Sequence, residues 1–215
     1  MEEEKQKKSW LNTHSTQIII ALFVLVQGIS VAWFNYNQKT KDSLTDIKIE
    51  QIRRDNDERI AAGHRNTARI YGELGRLQTT LDADRCFVIQ PHPQYKYMYL
   101  SVLFEVDKNG VSAVKDIFQN IPMSDMVSFS NDMATNMWLY YDDITNQVSD
   151  NRVIALMLLA GSTNIAISQL NDASGHWIGS LVVENTGNKA IDFEVSHEQI
   201  KNSANLIQYI LPAVP

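Results

Sequence analysis

The chain has 215 residues and a formal net charge of −6, unevenly placed: residues 1–82 hold 12 Lys and Arg against 11 Asp and Glu, and residues 83–215 hold 7 against 14. So acidic a carboxy-terminal part argues against nucleic acid as a partner, because phosphate binding needs a basic face. The single cysteine, Cys86, excludes an internal disulfide and a cysteine-based zinc cluster.

Residues 1–17, MEEEKQKKSWLNTHSTQ, read as a polar amino-terminal tail. Residues 18–34, IIIALFVLVQGISVAWF, carry no charge. As a helix at about 1.5 Å per residue they reach roughly 26 Å, close to the hydrocarbon thickness of a bilayer. Trp10 on one side and Trp33, Phe34 and Tyr36 on the other suit the two interfaces. The expectation is one transmembrane helix over 18–34, anchored in membrane lipid. A cleaved signal peptide is the competing reading, since Lys5, Lys7 and Lys8 precede the run and Ser30-Val31-Ala32 offers small residues. The run is long for that purpose, and Glu2, Glu3 and Glu4 spoil a basic start. Lysines flank the run on both sides, so the order of lysines, apolar run and small residues sets the expected orientation: tail in the cytoplasm, residues 35–215 outside it.

Within the run, Gln27, Gly28 and Ser30 are the candidate helix contacts. An amide at membrane depth tends to find a partner on another helix, and small residues let helices approach. This face is expected to mediate self-association; the plainer reading is a tolerated glutamine in a tilted helix.

Residues 35–82 contain no proline and are rich in charged residues, which predicts a juxtamembrane helical stalk. Leu44, Ile47, Ile49, Ile52 and Ile60 are too irregular for a strict heptad. Ile70, Tyr71, Leu74, Leu77 and Leu81 form a better stripe, expected to pack on the soluble body.

That body covers residues 83–215. Residues 85–90 and 97–106 read as strands, residues 111–121 as a helix, and residues 122–147 as irregular. Ser149-Asp150 is expected to cap a short buried helix over 152–160. Residues 164–170 and 177–184 read as a hairpin around Asn171–Gly175. Ser196 and Gln199 suggest a capping box for a last helix, with Ile200, Ala204, Ile207 and Leu211 as its stripe. The fold class is α/β (α+β): an antiparallel sheet with packed helices, the first and last of them together on one face.

Chemistry-bearing patterns are sparse. His14, His64, His92, His176 and His197 do not pair at metal-ligand spacing, and Pro91-His92-Pro93 reads as a rigid loop. Asp142-Asp143 is an acidic pair, read as a solvated turn rather than a cation site. No P-loop, GxGxxG or GxSxG occurs. The chain is therefore expected not to be an enzyme and to need neither cofactor nor metal. A small-molecule pocket would lie between the sheet and residues 122–160, where Met123, Met126, Met133, Met137 and Trp138 gather, although core filling is the preferred role for those residues.

Two resemblances follow. STNIAISQLNDASGHWIGSLVVEN resembles the penultimate hairpin of GAF domains, and ADRCFVI resembles their first strand after the leading helix, in an element order spanning roughly 60–211. No nucleotide-binding or chromophore motif of that family is visible, and Cys86 in a central strand reads as buried and inert. The layout of short tail, one span, charged helix and large soluble domain resembles the T-even-type phage holins. That resemblance implies oligomerisation in the host inner membrane, timed permeabilisation, and a periplasmic domain that regulates assembly, through a regulatory protein in some cases. The second function class is a membrane-tethered GAF-like sensor or interaction module that binds a small ligand or a protein.

Overall fold

The computed structural model describes residues 2–187 and 189–214, with side chains from residue 21 onward except 40–47 and 193. Helix α1 runs Glu2–Leu81. The chain divides into two compact units, residues 1–60 and 61–215.

The first unit is helical. Leu22, Phe23, Val24, Leu25, Val26, Ile29, Val31, Trp33 and Phe34 are each more than half exposed. Among the described residues, no helix is long and apolar enough to cross a membrane. Ile18, Ile19 and Ile20, which open the expected span, lie outside the described side chains, as do Leu44 and Ile47 of the stalk.

The second unit is built on a six-stranded antiparallel sheet of order β3-β2-β1-β6-β5-β4. The strands are β1 Arg85–His92, β2 Tyr99–Asp107, β3 Ile121–Pro122, β4 Trp138–Tyr141, β5 Ser162–Asn171 and β6 Trp177–Thr186. The helices are α2 Val127–Thr135, α3 Ile144–Gln147, α4 Asn151–Leu159 and α5 Phe193–Ile207. Side chains alternate across the sheet, as the two-residue period of a strand requires. Cys86 and Val88 of β1, Ala166 of β5 and Val183 of β6 share a buried cluster with Ile70, Leu74 and Leu77 of α1 and Ile200, Ala204 and Ile207 of α5. Phe87, Ile89, Ile165, Ile167 and Val182 face the other way, into a cluster with Met126, Phe129, Met133, Val153 and Met157. The first and last helices therefore share one face, joined also by Arg76 Nη2 donating to Ser203 Oγ at 3.1 Å. Tyr71 meets Phe104 edge-on at 5.6 Å. At the end of α1, Asp82 binds both Lys108 and Lys189.

Several expectations are corrected. Residues 111–120 form no helix. One turn closes, with Phe118 N donating to Val114 O at 2.9 Å, and then Phe118 O accepts from Val102 N of β2 at 3.0 Å. The Glu105 carboxylate takes the N–H groups of Val114 and Lys115 at 2.7 and 2.6 Å. The backbone donors and acceptors a helix would need are thus taken by β2, an instance of tertiary contact overriding local propensity. The sheet has two strands beyond the four expected: β4, inside the irregular stretch, and the two-residue β3 at its start. Pro91 lies within β1 rather than in a loop; β1 pairs with β6 only as far as Ile89, so the proline's missing N–H costs no ladder bond on that side. Asp150 does not cap α4 with its side chain; its Oδ2 accepts from Phe129 N of α2 instead. The cap of α5 is Asp192, accepting from Glu194 and Val195, while Ser196 is buried a turn further on.

Candidate functional site

Two polar features interrupt the apolar layers. The first is buried. Arg85 stands opposite Asp107 of β2 and Glu184 of β6 in the sheet register. Both Arg85 and Glu184 are fully buried and in ion-pair contact. The guanidinium donates through Nη2 to Ala160 O and Ser162 Oγ, both at 2.9 Å, and through Nη1 to Ser112 O. The Ser162 hydroxyl in turn donates to Glu184 Oε2 at 3.1 Å. Burial pushes the Glu184 carboxyl up to about 7, against the pull of Arg85. Burial also pushes Glu105 up to about 7, with Asp107 adding to the rise and two backbone N–H bonds opposing it. This network ties β1, β6, the end of α4 and the start of β5 together.

The second feature is an open cleft of about 380 Å³. It exists because two pairings stop at different places. On one side β4 pairs with β5 only from Trp138↔Ser168 to Tyr141↔Ile165. On the other side β5 continues against β6 to Ser162↔Thr186. The β5 edge over 162–164 is thus left without a strand partner on the β4 side. The chain leaves the sheet at Asp142 because Asp143 becomes the amino-terminal cap of α3. The Asp143 carboxylate accepts from Thr145 N at 2.9 Å, from Asn146 N at 3.3 Å, and from the Thr145 and Asn146 side chains at 2.5 Å each. Its pKa is lowered, first by the Thr145 and Asn146 side-chain bonds.

The cleft floor is Ser162, Thr163 and Asn164; one wall is Asp142 to Thr145 with Leu158, and the other is Gly187 and Ala190. Thr163 Oγ1 donates to Asn185 O at 3.1 Å. Asn164 Nδ2 donates to Lys189 O at 2.6 Å and to Thr163 Oγ1 at 3.2 Å. Asn164 is 4% exposed, and its Oδ1 has no hydrogen-bond partner among the described residues. A smaller groove of about 140 Å³ lies beside α5, where Trp138 packs on His197 with ring centres 4.5 Å apart.

The cleft lies at the edge of the sheet and touches residues 122–160 only at Asp142, Asp143, Ile144, Thr145 and Leu158, and its chemistry is not that of Met and Trp. Met126, Met133 and Met157 are buried core, Met137 is 72% exposed, and Trp138 lies on the opposite face. Asp142 lines the cleft without a hydrogen bond or ion pair among the described residues, while Asp143 is occupied as a cap. Among the described residues no group of three or more His, Cys, Asp or Glu could hold a metal ion. His92 ends β1, stacks on Tyr99 and bonds to Ser101 Oγ at 2.9 Å, and burial lowers its pKa. His176 is exposed beside Asp172. Cys86 lies in the helix-covered face, where burial pushes its thiol well up. In α1, the Ser30 hydroxyl donates to Val26 O of its own helix at 2.8 Å, and a side chain added at Gly28 would meet nothing within 4 Å. Sequence reading missed Ser162, Thr163 and Asn164 as a group. The available signal was the polar run Gly161–Asn164 set directly before an apolar strand.

No family model and no curated protein matches the chain. Solved structures do match. The cyanobacteriochrome receptor PixJ, in dark and illuminated states, is 13% identical with a TM-score of 0.57, covering 69% of this chain and 95% of that one. A GAF domain in its photoproduct state from Synechocystis sp. is 12% identical with a TM-score of 0.55, covering 66% and 90%. The blue-light-absorbing PixJ GAF domain of Thermosynechococcus elongatus is 11% identical with a TM-score of 0.54, covering 70% and 89%. The fold is therefore GAF-like, a mixed α/β unit with a six-stranded antiparallel sheet. The holin resemblance finds no counterpart in these comparisons.

Proposed function

We propose that this chain is a GAF-like sensor or interaction module, tethered to a membrane through residues 18–34, whose body takes a small ligand in the cleft at the edge of β5. The observation that carries the reading is the cleft. It is open, it sits where the sheet loses a strand partner, and it is lined by the 162–164 edge of β5 and by Asp142. An unpaired strand edge presents backbone N–H and C=O groups that a bound group can satisfy. The GAF-like fold supports this reading in preference to the holin one, and it does so as fold only. The tether rests on the uncharged run and on the exposed apolar side chains of Leu22 to Phe34, which need cover from lipid or from another helix. The soluble body is placed outside the cytoplasm on the expected orientation.

The test uses the full chain in detergent, screened against anionic, neutral and cationic small molecules by calorimetry. Leu158, an exposed wall residue, is replaced by Trp to fill the cleft. Ligands bound by the natural protein and lost in Leu158→Trp support the reading. A folded protein that binds none of the three classes overturns it. Expression in bacteria separates the holin alternative. A sensor leaves the membrane potential intact, whereas a permeabilising protein collapses it, and Gln27→Leu should then change the timing by removing the strongest interhelical hydrogen-bonding group.

A further inference from the structure

We infer that Asn109, in the exposed turn that leaves β2, is a site of spontaneous deamidation, where attack by the Gly110 backbone nitrogen turns the side-chain amide into a carboxylate. The inference is independent of the cleft. Asn109-Gly110 is the chain's one Asn-Gly pair. Both residues are exposed. Val111 N donates to Lys108 O at 3.0 Å and Gly110 has a φ of 88°, so the pair fills the two central positions of a type II turn. Glycine is what this turn favours at its second central position, and it leaves the attacking nitrogen without a neighbouring β-carbon.

Both reacting groups are uncommitted. Among the described residues, neither the Asn109 side chain nor the Gly110 N–H makes a hydrogen bond. Other asparagine amides are engaged. Asn164 Nδ2 donates to Lys189 O, Asn136 Nδ2 to Asp132 O and Asn171 Nδ2 to Gln169 Oε1. Asn185 Oδ1 accepts from Asp84 N.

The reaction balances with water alone. The Gly110 N–H gives its proton to hydroxide, and its nitrogen bonds to Asn109 Cγ. The Cγ–Nδ2 bond breaks, and Nδ2 leaves as ammonia after taking a proton from water. Water then opens the five-membered imide at one of its two carbonyls. One opening gives aspartate; the other gives isoaspartate, whose backbone runs through the former side chain and is one atom longer. Either product adds a negative charge to a chain whose net charge is −6. The new carboxylate stands beside Lys108, whose ammonium holds Asp82 at the end of α1.

The experiment incubates the full chain in detergent at pH 7.5 and 8.5. Intact mass and ion-exchange retention follow the conversion, and peptide mapping locates it. Asn109 should convert at least about tenfold faster than any other asparagine, in both linkages and faster at the higher pH. The acidic form should be absent from Asn109→Gln, because glutamine would have to close a six-membered ring. A urea-unfolded sample gives the rate of the unshielded chain. If Asn109 reacts about tenfold or more slowly in the folded protein than in urea, the turn shields it and the inference falls. It falls equally if another asparagine converts first, or if the acidic form persists in Asn109→Gln.

Discussion

At the scale of single residues, the decisive fact is that one guanidinium is shared by several carboxylates. Arg85 faces Glu184 and Asp107, and Glu105 lies beside Asp107 on the same face of the sheet. Asp107 is raised mainly by burial, and its Oδ1 is buried without a partner. With one fixed positive charge and three acids, the site cannot hold every carboxylate ionised without uncompensated negative charge. Glu184 and Glu105 are both pushed from 4.5 up to about 7, chiefly by burial, with the acidic neighbour of each adding to the rise. The consequence for stability has a definite sign. Between about 4.5 and 7 the folded state holds protons that the unfolded chain has released, so stability is greatest at the acid end of that window and declines as pH rises through it. Urea midpoints measured from pH 4.5 to 8 should fall with rising pH, and Glu105→Gln should flatten the slope. A midpoint that climbs across the same window would contradict the assignment. Cys86 illustrates the other limit: with its thiol buried and its pKa raised, it should stay unreactive until the protein unfolds.

At the scale of elements, what could be read from sequence was what side-chain alternation writes down. Residues Arg85–Gln90 and Ile165–Leu170 alternate between the two buried faces, and Ile70, Leu74 and Leu77 repeat at helical spacing; these elements were legible. The failures share a different cause. Val114, Ile117 and Phe118 have helical spacing, yet only one turn forms because the edge of β2 and Glu105 take the backbone groups. Trp138–Tyr141 is only four residues long, with every position half-buried, so it lacks the in-out contrast that marks a strand. The cleft was illegible for a related reason: it is set by where two strand pairings end, a property of neighbours far apart in sequence. One glycine tests how tightly those pairings are packed. A β-carbon at Gly179 would lie 2.8 Å from Ile89 O and 3.0 Å from Gln90 Cγ, just where β1 separates from β6. The nearer atom is backbone in a buried strand, so it cannot swing aside. Gly179→Ala should cost about 1–3 kcal/mol, read as a lower urea midpoint with an unchanged denaturant slope.

At the scale of the whole molecule, the question is what the body needs in order to fold. Its sheet is covered on both faces: by α1 and α5 on one, by α2, α4 and the 111–120 segment on the other. Neither face draws on a disulfide, and no metal cluster occurs among the described residues. The end of α1 is an integral part of this arrangement, because Ile70, Leu74 and Leu77 are each fully buried against the sheet and α5. A fragment of residues 61–215 should therefore fold alone, with a mixed α/β circular dichroism spectrum and a cooperative transition that neither chelator nor reductant alters. Leu74→Ala within it should cost about 2–5 kcal/mol, the range for removing a fully buried leucine side chain. A fragment beginning at residue 83 keeps every strand but strips the apolar cover from Cys86, Val88 and Phe104, and it should aggregate or remain unfolded. If the shorter fragment folds as stably as the longer one, α1 is a detachable stalk and its stripe contributes nothing to the core. If the longer one unfolds in chelator, the body depends on a metal that its described side chains give no reason to expect.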